Sequence, residues 1–594
     1  MTDAYEGAIV ETFRRNALRT AHIIDDCFPT YGELAEGEKA KTKFKEWKLA
    51  TELYDLFRAN QIPCDVENTV NSIQEDVERI RKSDLIVLDY NLRPMDTRLS
   101  ISLVRSLART KHFNTIIVYT AADDLHEVWL NIAMALRGGW ARAADESGPE
   151  ARLEGLEDED KKFQPPSREL MADHIVGRSV PVHHTGEWKA ICDEVADRDL
   201  TKEQRLEVVD ALVRREVRKM LKDDQDSIHA EVHSVDGRWK KDGPLWLQSG
   251  NCFVAIMGKP TSDGRSVAPD KLFDALDAAL CDWRPNLLQI IVSEIQNILE
   301  SDAIATHELH LRDPHTQVSL SYFLLLALSG GAPPRDSLDG PIHALLDKLV
   351  EGVRQRLVTD RDLSKLAGDL LAKELERLEI PDYGNDRRAR RTGLFKKAQE
   401  MAGREDELDA LQALLKLNAF LSSEPFRGQL TTGTVFESGG VHWVCMTPSC
   451  DMVDRPPADD QDWLKRLHPM KPIVAIRLKS KDAPKGLKEA ENSRSLFIRK
   501  DKVVHVFDVT SDVGSQNYEF IYLRGGPMVL DEETPTFEGF RMWRDENAVE
   551  LPATLQPITY RVVGQVRADY ASRFLQQTGA WLSRIGVDFI RSAN

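Results

Sequence analysis

Short apolar runs and amphipathic stretches alternate along the first part of the chain. "RTAHIIDDCF" reads as a strand ending in two acids, Asp25 and Asp26. "WKLATELYDLF" has apolar positions at helical spacing, "QIPCDVEN" reads as a second strand, and "VNSIQEDVERIRKS" as another helix. "DLIVLDY" is a third strand, "TRLSISLVRSLART" has a helical period, and "NTIIVYT" is a fourth strand rich in β-branched residues. Strands alternating with amphipathic helices predict a doubly wound parallel sheet.

The alternation stops after a helix expected from about Asp124 to Leu136. The polar, acidic text that begins at Gly138 predicts loop or partly disordered chain. Helical text resumes with "TKEQRLEVVDALVRREVRKMLKDD". "GPLWLQSGNCFVAIMGKP" then adds an apolar strand, and "PDKLFDALDAALCDW" opens a helix at Pro-Asp. Residues 286–425 read as almost wholly helical. From Gly428, short strands and turns such as "TGTVFESGGVHWVCMTP" and "NYEFIYLRGG" predict a small antiparallel barrel or sandwich, closed by the helix "YASRFLQQTGAWLSRIG". The expected protein is multidomain α/β. An α/β domain spans 1–285 with a helical insertion at about 138–245, a helical domain spans 286–427, and a β-rich domain spans 428–594.

Composition narrows the class. A chain of 594 residues exceeds what one core supports. No run approaches the roughly 20 apolar residues that cross a bilayer, and the N-terminus lacks the basic-then-apolar plan of a signal peptide. The 7 cysteines include no CxxC pair, which argues against zinc clusters and a disulfide framework. A cytoplasmic protein with no membrane segment is the expectation. The net charge of −18 weighs against broad nucleic-acid binding.

In an open parallel sheet, ligands bind in the crevice outside the carboxyl ends of the strands. Asp25 and Asp26 fall there on the first strand, Asp89 on the third and Thr120 on the fourth. Three carboxylates held close repel one another unless a cation lies between them, and magnesium, Mg²⁺, suits such oxygen donors. A carboxylate beside a metal can attack phosphorus and form an acyl phosphate. The charge that results calls for a hydroxyl and an ammonium nearby.

Taken in order, "IIDDCF", "LIVLDYN" and "TIIVYTA" resemble the receiver domain of two-component response regulators. The resemblance implies a flavodoxin-like fold, with Asp25 and Asp26 as metal-site acids and Asp89 as phosphoacceptor. It implies that Asn91 lends its backbone carbonyl to Mg²⁺, that Thr120 bonds a phosphoryl oxygen, and that small Ala121 leaves room for access. A sensor histidine kinase or similar phosphodonor is the implied partner. The family also has a lysine ending its fifth strand, usually before proline, and none follows Thr120 at the usual distance. Lys259, ending "CFVAIMGKP", is assigned that place, and the receiver is then interrupted by the insertion, which costs little closure entropy. The alternative is that Lys259 ends a strand of a separate domain. Two departures stand out. The spacing from Asp26 to Asp89 is wide, implying a longer first helix or loop, and the aromatic residue expected just before the lysine is absent at Ala255 and Ile256.

Other segments carry weaker chemistry. Cys450 and Asp451 in "TPSCDMVDRP", with His442 a strand earlier, allow a Cys–His nucleophile or a nuclease-like acid; a thiol at a barrel turn is the simpler reading. "DRRARRTGLFKK", Asp386 to Lys397, is a basic cluster able to grip phosphate, and reads more simply as a solvated helix start or a dock for an acidic partner. Trp443, Trp543 and Trp581 read as core or interface aromatics, and Arg567, Tyr570, Arg573 and Phe574 as one face of the last helix. The function expected is that of a response-regulator-like signalling protein. It would be phosphorylated on Asp89, act through protein contacts of its helical and C-terminal parts, and have no enzymatic activity beyond self-phosphorylation and dephosphorylation. The unusual architecture suggests a setting in bacterial stress or phage defence. The alternatives are an effector hydrolase or nuclease in the C-terminal domain, and an adaptor whose degenerate receiver never sees phosphate.

Overall fold

The computed structural model describes residues 4–35, 37, 42–70, 73–93, 97–141, 149–157, 163–177, 202–221, 224–239, 243–260, 266–301, 313–328, 350–402, 408–426, 428–452, 466–467, 470–490, 494–500, 503–509, 517–524, 529, 535–543 and 554–582. The chain divides into two compact units, one of residues 1–303 with 356–406, the other of residues 304–355 with 407–594.

The first unit is built on a 7-stranded sheet. Its strands are β1 (Ala21–Ile24), β2 (Cys64–Glu67), β3 (Leu85–Leu88), β4 (Asn114–Thr120), β5 (Val235–Arg238), β6 (Leu245–Ser249) and β7 (Cys252–Gly258). They lie in the order β2-β1-β3-β4-β7-β6-β5. The first five are mutually parallel, and β6 and β5 extend the edge antiparallel. Strands β1, β3, β4 and β7 are buried along their whole length, as strands covered on both faces must be.

Helices cover both faces. The helices of this unit are α1 (Ala4–Val10), α2 (Trp47–Ala59), α3 (Ile73–Ile80), α4 (Arg98–Ala108), α5 (Leu125–Arg137), α6 (Pro149–Leu156), α7 (Arg168–Ile175), α8 (Lys202–Met220), α9 (Leu272–Trp283), α10 (Leu287–Ser301), α11 (Arg361–Leu378) and α12 (Arg387–Met401). Ile80, Leu107 and Trp129 bring α3, α4 and α5 to one core. Ile9, Phe57 and Leu280 bring α1, α2 and α9 to the other. This is the doubly wound arrangement, and β7 beside β4 places the residue after Gly258 at the same sheet edge as the ends of β1, β3 and β4.

Three elements differ from the sequence expectation. Part of the text expected as loop after Gly138 folds into α6 and α7, because Leu153, Phe163 and Leu170 find their apolar partners on α8 at Val208, Val209 and Leu212. "LWLQSGNCFVAIMG" is a hairpin rather than one strand. Gly250 turns it at φ +54, where a Cβ would stand 2.4 Å from the Ala108 carbonyl oxygen. The helical text of 286–425 is shared between the units. Ile290 of α10 and Leu370 of α11 are buried in the second core of the sheet, while residues from 407 on belong to the other unit.

The second unit contains helix α13 (Ala410–Ser422) and strands β8 (Ser423–Glu424), β9 (Thr434–Ser438), β10 (Val441–Cys445), β11 (Met470–Ser480), β12 (Ser495–Lys500), β13 (Val503–Asp508), β14 (Tyr518–Arg524), β15 (Thr536–Trp543) and β16 (Thr554–Val566). Six of these run β10-β9-β16-β15-β14-β11, and β10 pairs with β11 to close the ring. The structure is therefore a barrel, which removes the open edges a sandwich would leave. Phe436, Trp443, Phe537 and Tyr560 fill it. The last helix, α14 (Ala568–Leu582), seals a second cluster through Ala571 and Phe574. Its buried face is thus centred on Ala571, Phe574 and Thr578, and Tyr570, expected on the docked face, is 42% exposed. No helix among the described residues is long and apolar enough to cross a membrane.

Candidate functional site

The parallel ladder continues one residue beyond the strands and thereby aligns the polar side chains. Asp25 N–H donates to the Glu67 carbonyl at 2.9 Å, Asp89 N–H to the Ile24 carbonyl at 2.9 Å, and Lys259 N–H to the Thr120 carbonyl at 2.7 Å. Asp25, Asp89, Thr120 and Lys259 are thus brought together at the carboxyl edge of β1, β3, β4 and β7, where an open α/β sheet offers its crevice.

The Lys259 ammonium is the hub. Its Nζ lies 2.7 Å from Asp25 Oδ2, 2.8 Å from Glu46 Oε2 and 3.7 Å from Asp89 Oδ1. Beneath it the Phe28 ring centroid is 5.2 Å away. Lys259, Asp25 and Asp89 are only 3%, 2% and 7% exposed, so the charges interact in a medium that screens them poorly. Burial pushes the Asp25 carboxyl up to about 7; the Lys259 charge opposes that shift and the Asp89 charge adds to it. Burial raises Asp89 as well, against the same Lys259 charge. For Lys259 burial acts downward, and the carboxylates of Asp25 and Asp89 outweigh it, so that its ammonium is held more tightly than usual.

Asp25 Oδ1 accepts from the Cys27 N–H at 2.9 Å, and Thr120 Oγ1 accepts from the Ala122 N–H at 3.2 Å. Asp89 Oδ1 is buried and has no hydrogen-bond partner. Asp26 and Asn91 are half-buried at the same strand ends.

Asp25, Asp26 and Cys27 present ligand atoms within 4.8 Å of one another. Burial and the neighbouring Asp26 and Asp25 charges push the Cys27 thiol up to about 12, so it stays protonated and contributes no thiolate. What remains of that group is the carboxylates of Asp25 and Asp26. Carboxylate oxygens so placed fit a hard, oxygen-seeking ion such as Mg²⁺.

Residues 17–162 match the family described as the response receiver domain. A response receiver domain lies in this chain. The matched stretch includes β1 to β4 with Asp25, Asp26, Asp89 and Thr120, and stops short of β7 and Lys259, which the sheet pairing adds to the receiver edge. The C-terminal half matches no family. No curated protein and no solved structure matches the chain.

Glu46 and Phe28 were not singled out from the sequence. The signal for Glu46 was the wide spacing between Asp26 and Asp89. Among the described residues of that extra length a short helical turn, Tyr31–Leu34, is capped by Thr30 and Glu33, and α2 begins at Trp47.

The remaining candidates are placed elsewhere. His442 on β10 lies 2.9 Å from Glu437 on β9, and Asp451 is exposed in the turn Ser449–Met452. The Cys450 side chain, like those of Trp543 and Trp581, lies outside the described residues. Trp443 faces the barrel core, its ring 6.1 Å from that of Phe436. Arg387, Arg388, Arg390 and Arg391 are exposed on α12, a helix that buries none of its residues and is capped by Asp386. That is the pattern of a solvated helix.

Proposed function

We propose that the protein is a response-regulator-like signalling protein whose phosphoacceptor is Asp89. The observation that carries this reading is the Lys259 ammonium between Asp25 and Asp89 at the carboxyl edge of the receiver sheet. In the proposed reaction an Asp89 carboxylate oxygen attacks the phosphorus of a donor. The new O–P bond forms an acyl phosphate as the bond to the donor's leaving group breaks. Asp25, Asp26, Asp89 and the Asn91 carbonyl would hold Mg²⁺, whose chemistry when bound is to neutralise phosphoryl oxygens. Thr120 offers its hydroxyl to one phosphoryl oxygen, and Lys259 its ammonium to another. Burial of Asp89 keeps bulk water from the acyl phosphate, which favours a lifetime long enough to signal.

The phosphodonor under this proposal is a sensor histidine kinase or a small acyl phosphate. The output passes through protein contacts of the helical segments and the barrel unit, since phosphorylation adds about −2 charge and three strong acceptors at the receiver edge. We place the protein in bacterial stress or phage defence on the strength of its architecture.

The test is intact mass after incubation with acetyl phosphate, with and without Mg²⁺, on wild type, Asp89→Asn and Lys259→Ala. A Mg²⁺-dependent gain of one phosphoryl group that Asp89→Asn abolishes and Lys259→Ala diminishes is the expected result. A gain that persists in Asp89→Asn removes Asp89 from its role. No gain, together with no Mg²⁺ binding, favours a receiver kept for protein contacts.

A further inference from the structure

Three acids surround one buried ammonium, and only one of them, Glu46, comes from outside the strand ends. We infer that Glu46 is a positioning residue that holds Lys259 off Asp89, keeping the Asp89 oxygen free until a phosphoryl group arrives and takes Glu46's place. The inference rests on the reading of Asp89 as phosphoacceptor.

A lysine ammonium has three protons to donate. Two are directed to Asp25 at 2.7 Å and Glu46 at 2.8 Å, both within the range of a strong charge-assisted bond. Asp89 at 3.7 Å lies beyond hydrogen-bond reach, and its Oδ1 is buried without a partner. An isolated Lys–Asp pair would close that gap. Here the second carboxylate pulls the ammonium the other way, while the Phe28 ring supports it from below.

Glu46 is built to let go. Its side chain is 29% exposed, against 3% for Asp25, so it can swing into water at little cost while Asp25 cannot. It stands at the N-cap of α2, where the helix favours negative charge, yet its carboxylate caps no backbone N–H and is left for Lys259. The long connection between β1 and α2 ends at this acid.

The phosphoryl oxygens and Glu46 therefore compete for the same protons. Glu46→Gln replaces a charged competitor by a neutral one. The difference between a hydrogen bond to a charged and to a neutral acceptor corresponds to about fivefold in an equilibrium constant. The experiment uses the full chain, with beryllofluoride and Mg²⁺ as the phosphoryl stand-in, and measures affinity by titration calorimetry for wild type and Glu46→Gln. Crystal structures of both proteins without added ligand accompany it.

The expected results are about fivefold tighter beryllofluoride binding in Glu46→Gln and a Lys259 Nζ that has moved to about 3 Å from Asp89 in the variant alone. Unchanged or weaker binding overturns the inference, as does a Lys259 that stays where it is. If wild type binds no beryllofluoride, the phosphoacceptor reading fails by itself, and the two ligand-free structures still decide whether Glu46 positions Lys259.

Discussion

Replacing Lys259 by methionine keeps most of the stem and removes the charge. The perturbation leaves Asp25, at 2% exposure, and Asp89, at 7%, without the ammonium that lies 2.7 Å and 3.7 Å from them. Removing one partner of a buried ion pair costs about 3–5 kcal/mol, because the charge left behind is neither solvated nor paired. Glu46 adds little, since it can turn to water. The loss depends on pH. The Asp25 carboxyl stands near 7 in the folded protein against an ordinary value of 3.8, so between those values the folded chain holds a proton the unfolded chain has shed. Stability therefore falls as pH rises through that window. Without Lys259 only the Cys27 N–H bond still opposes burial and the Asp89 charge, so the folded carboxyl moves higher still and the fall extends to more alkaline pH. Urea unfolding can be followed by the fluorescence of the buried Trp129, Trp140 and Trp246. It should show a deficit of about 3–5 kcal/mol at pH 8 and less than half of it at about pH 5. A deficit below about 1 kcal/mol at pH 8, or one equal at both pH values, would refute the claim that Lys259 neutralises buried carboxylates.

Two further predictions concern acids away from the carboxyl edge of the sheet. Asp84 opens β3 at the opposite end of the sheet and accepts the backbone N–H groups of Arg19 and Thr20, each at 3.0 Å. Burial works against its charge, yet these bonds and His112 hold it below the usual carboxylate range. Asp84→Ala should cost about 2–3 kcal/mol by urea unfolding while acetyl phosphate labelling of Asp89 is unchanged; lost labelling in a folded variant would contradict this. Asp210 on α8 lies 2.9 Å from His174 and 2.6 Å from Arg214. Burial opposes its charge, and these partners bring its carboxyl down to about 2. Its contribution, of order 1–2 kcal/mol after allowance for partial exposure, is present above the ordinary value of 3.8 and lost as pH falls toward 2. Asp210→Asn should therefore lower the melting temperature at pH 7 and progressively less below about pH 4; an equal shift at both would argue against the ion pair.

The polar positions that sit at strand ends are legible in the sequence. A buried parallel strand must be apolar throughout, so a polar residue at its end is conspicuous, and "AHIIDD", "LIVLDY" and "IIVYT" announce Asp25, Asp89 and Thr120 by position alone. Lys259 was legible for the same reason, at the end of "CFVAIMGK". That β7 lies beside β4 is a pairing between distant segments, and the sheet alone decides it. Helices α6 and α7 escaped because their apolar residues show no period of their own and are organised by α8. The face of α14 escaped because side chains of both polarities recur at helical spacing, and the barrel cluster selects Ala571 and Phe574 among them. Glu46 is the clearest case. It lies in text read as helical that marks no acid out from its neighbours, and its role comes only from where a long connection ends relative to a buried ammonium. Local patterning writes the strands and what they carry, but charge balance in a buried site sums over everything that tertiary folding brings within a few ångströms, and no stretch of sequence contains that sum.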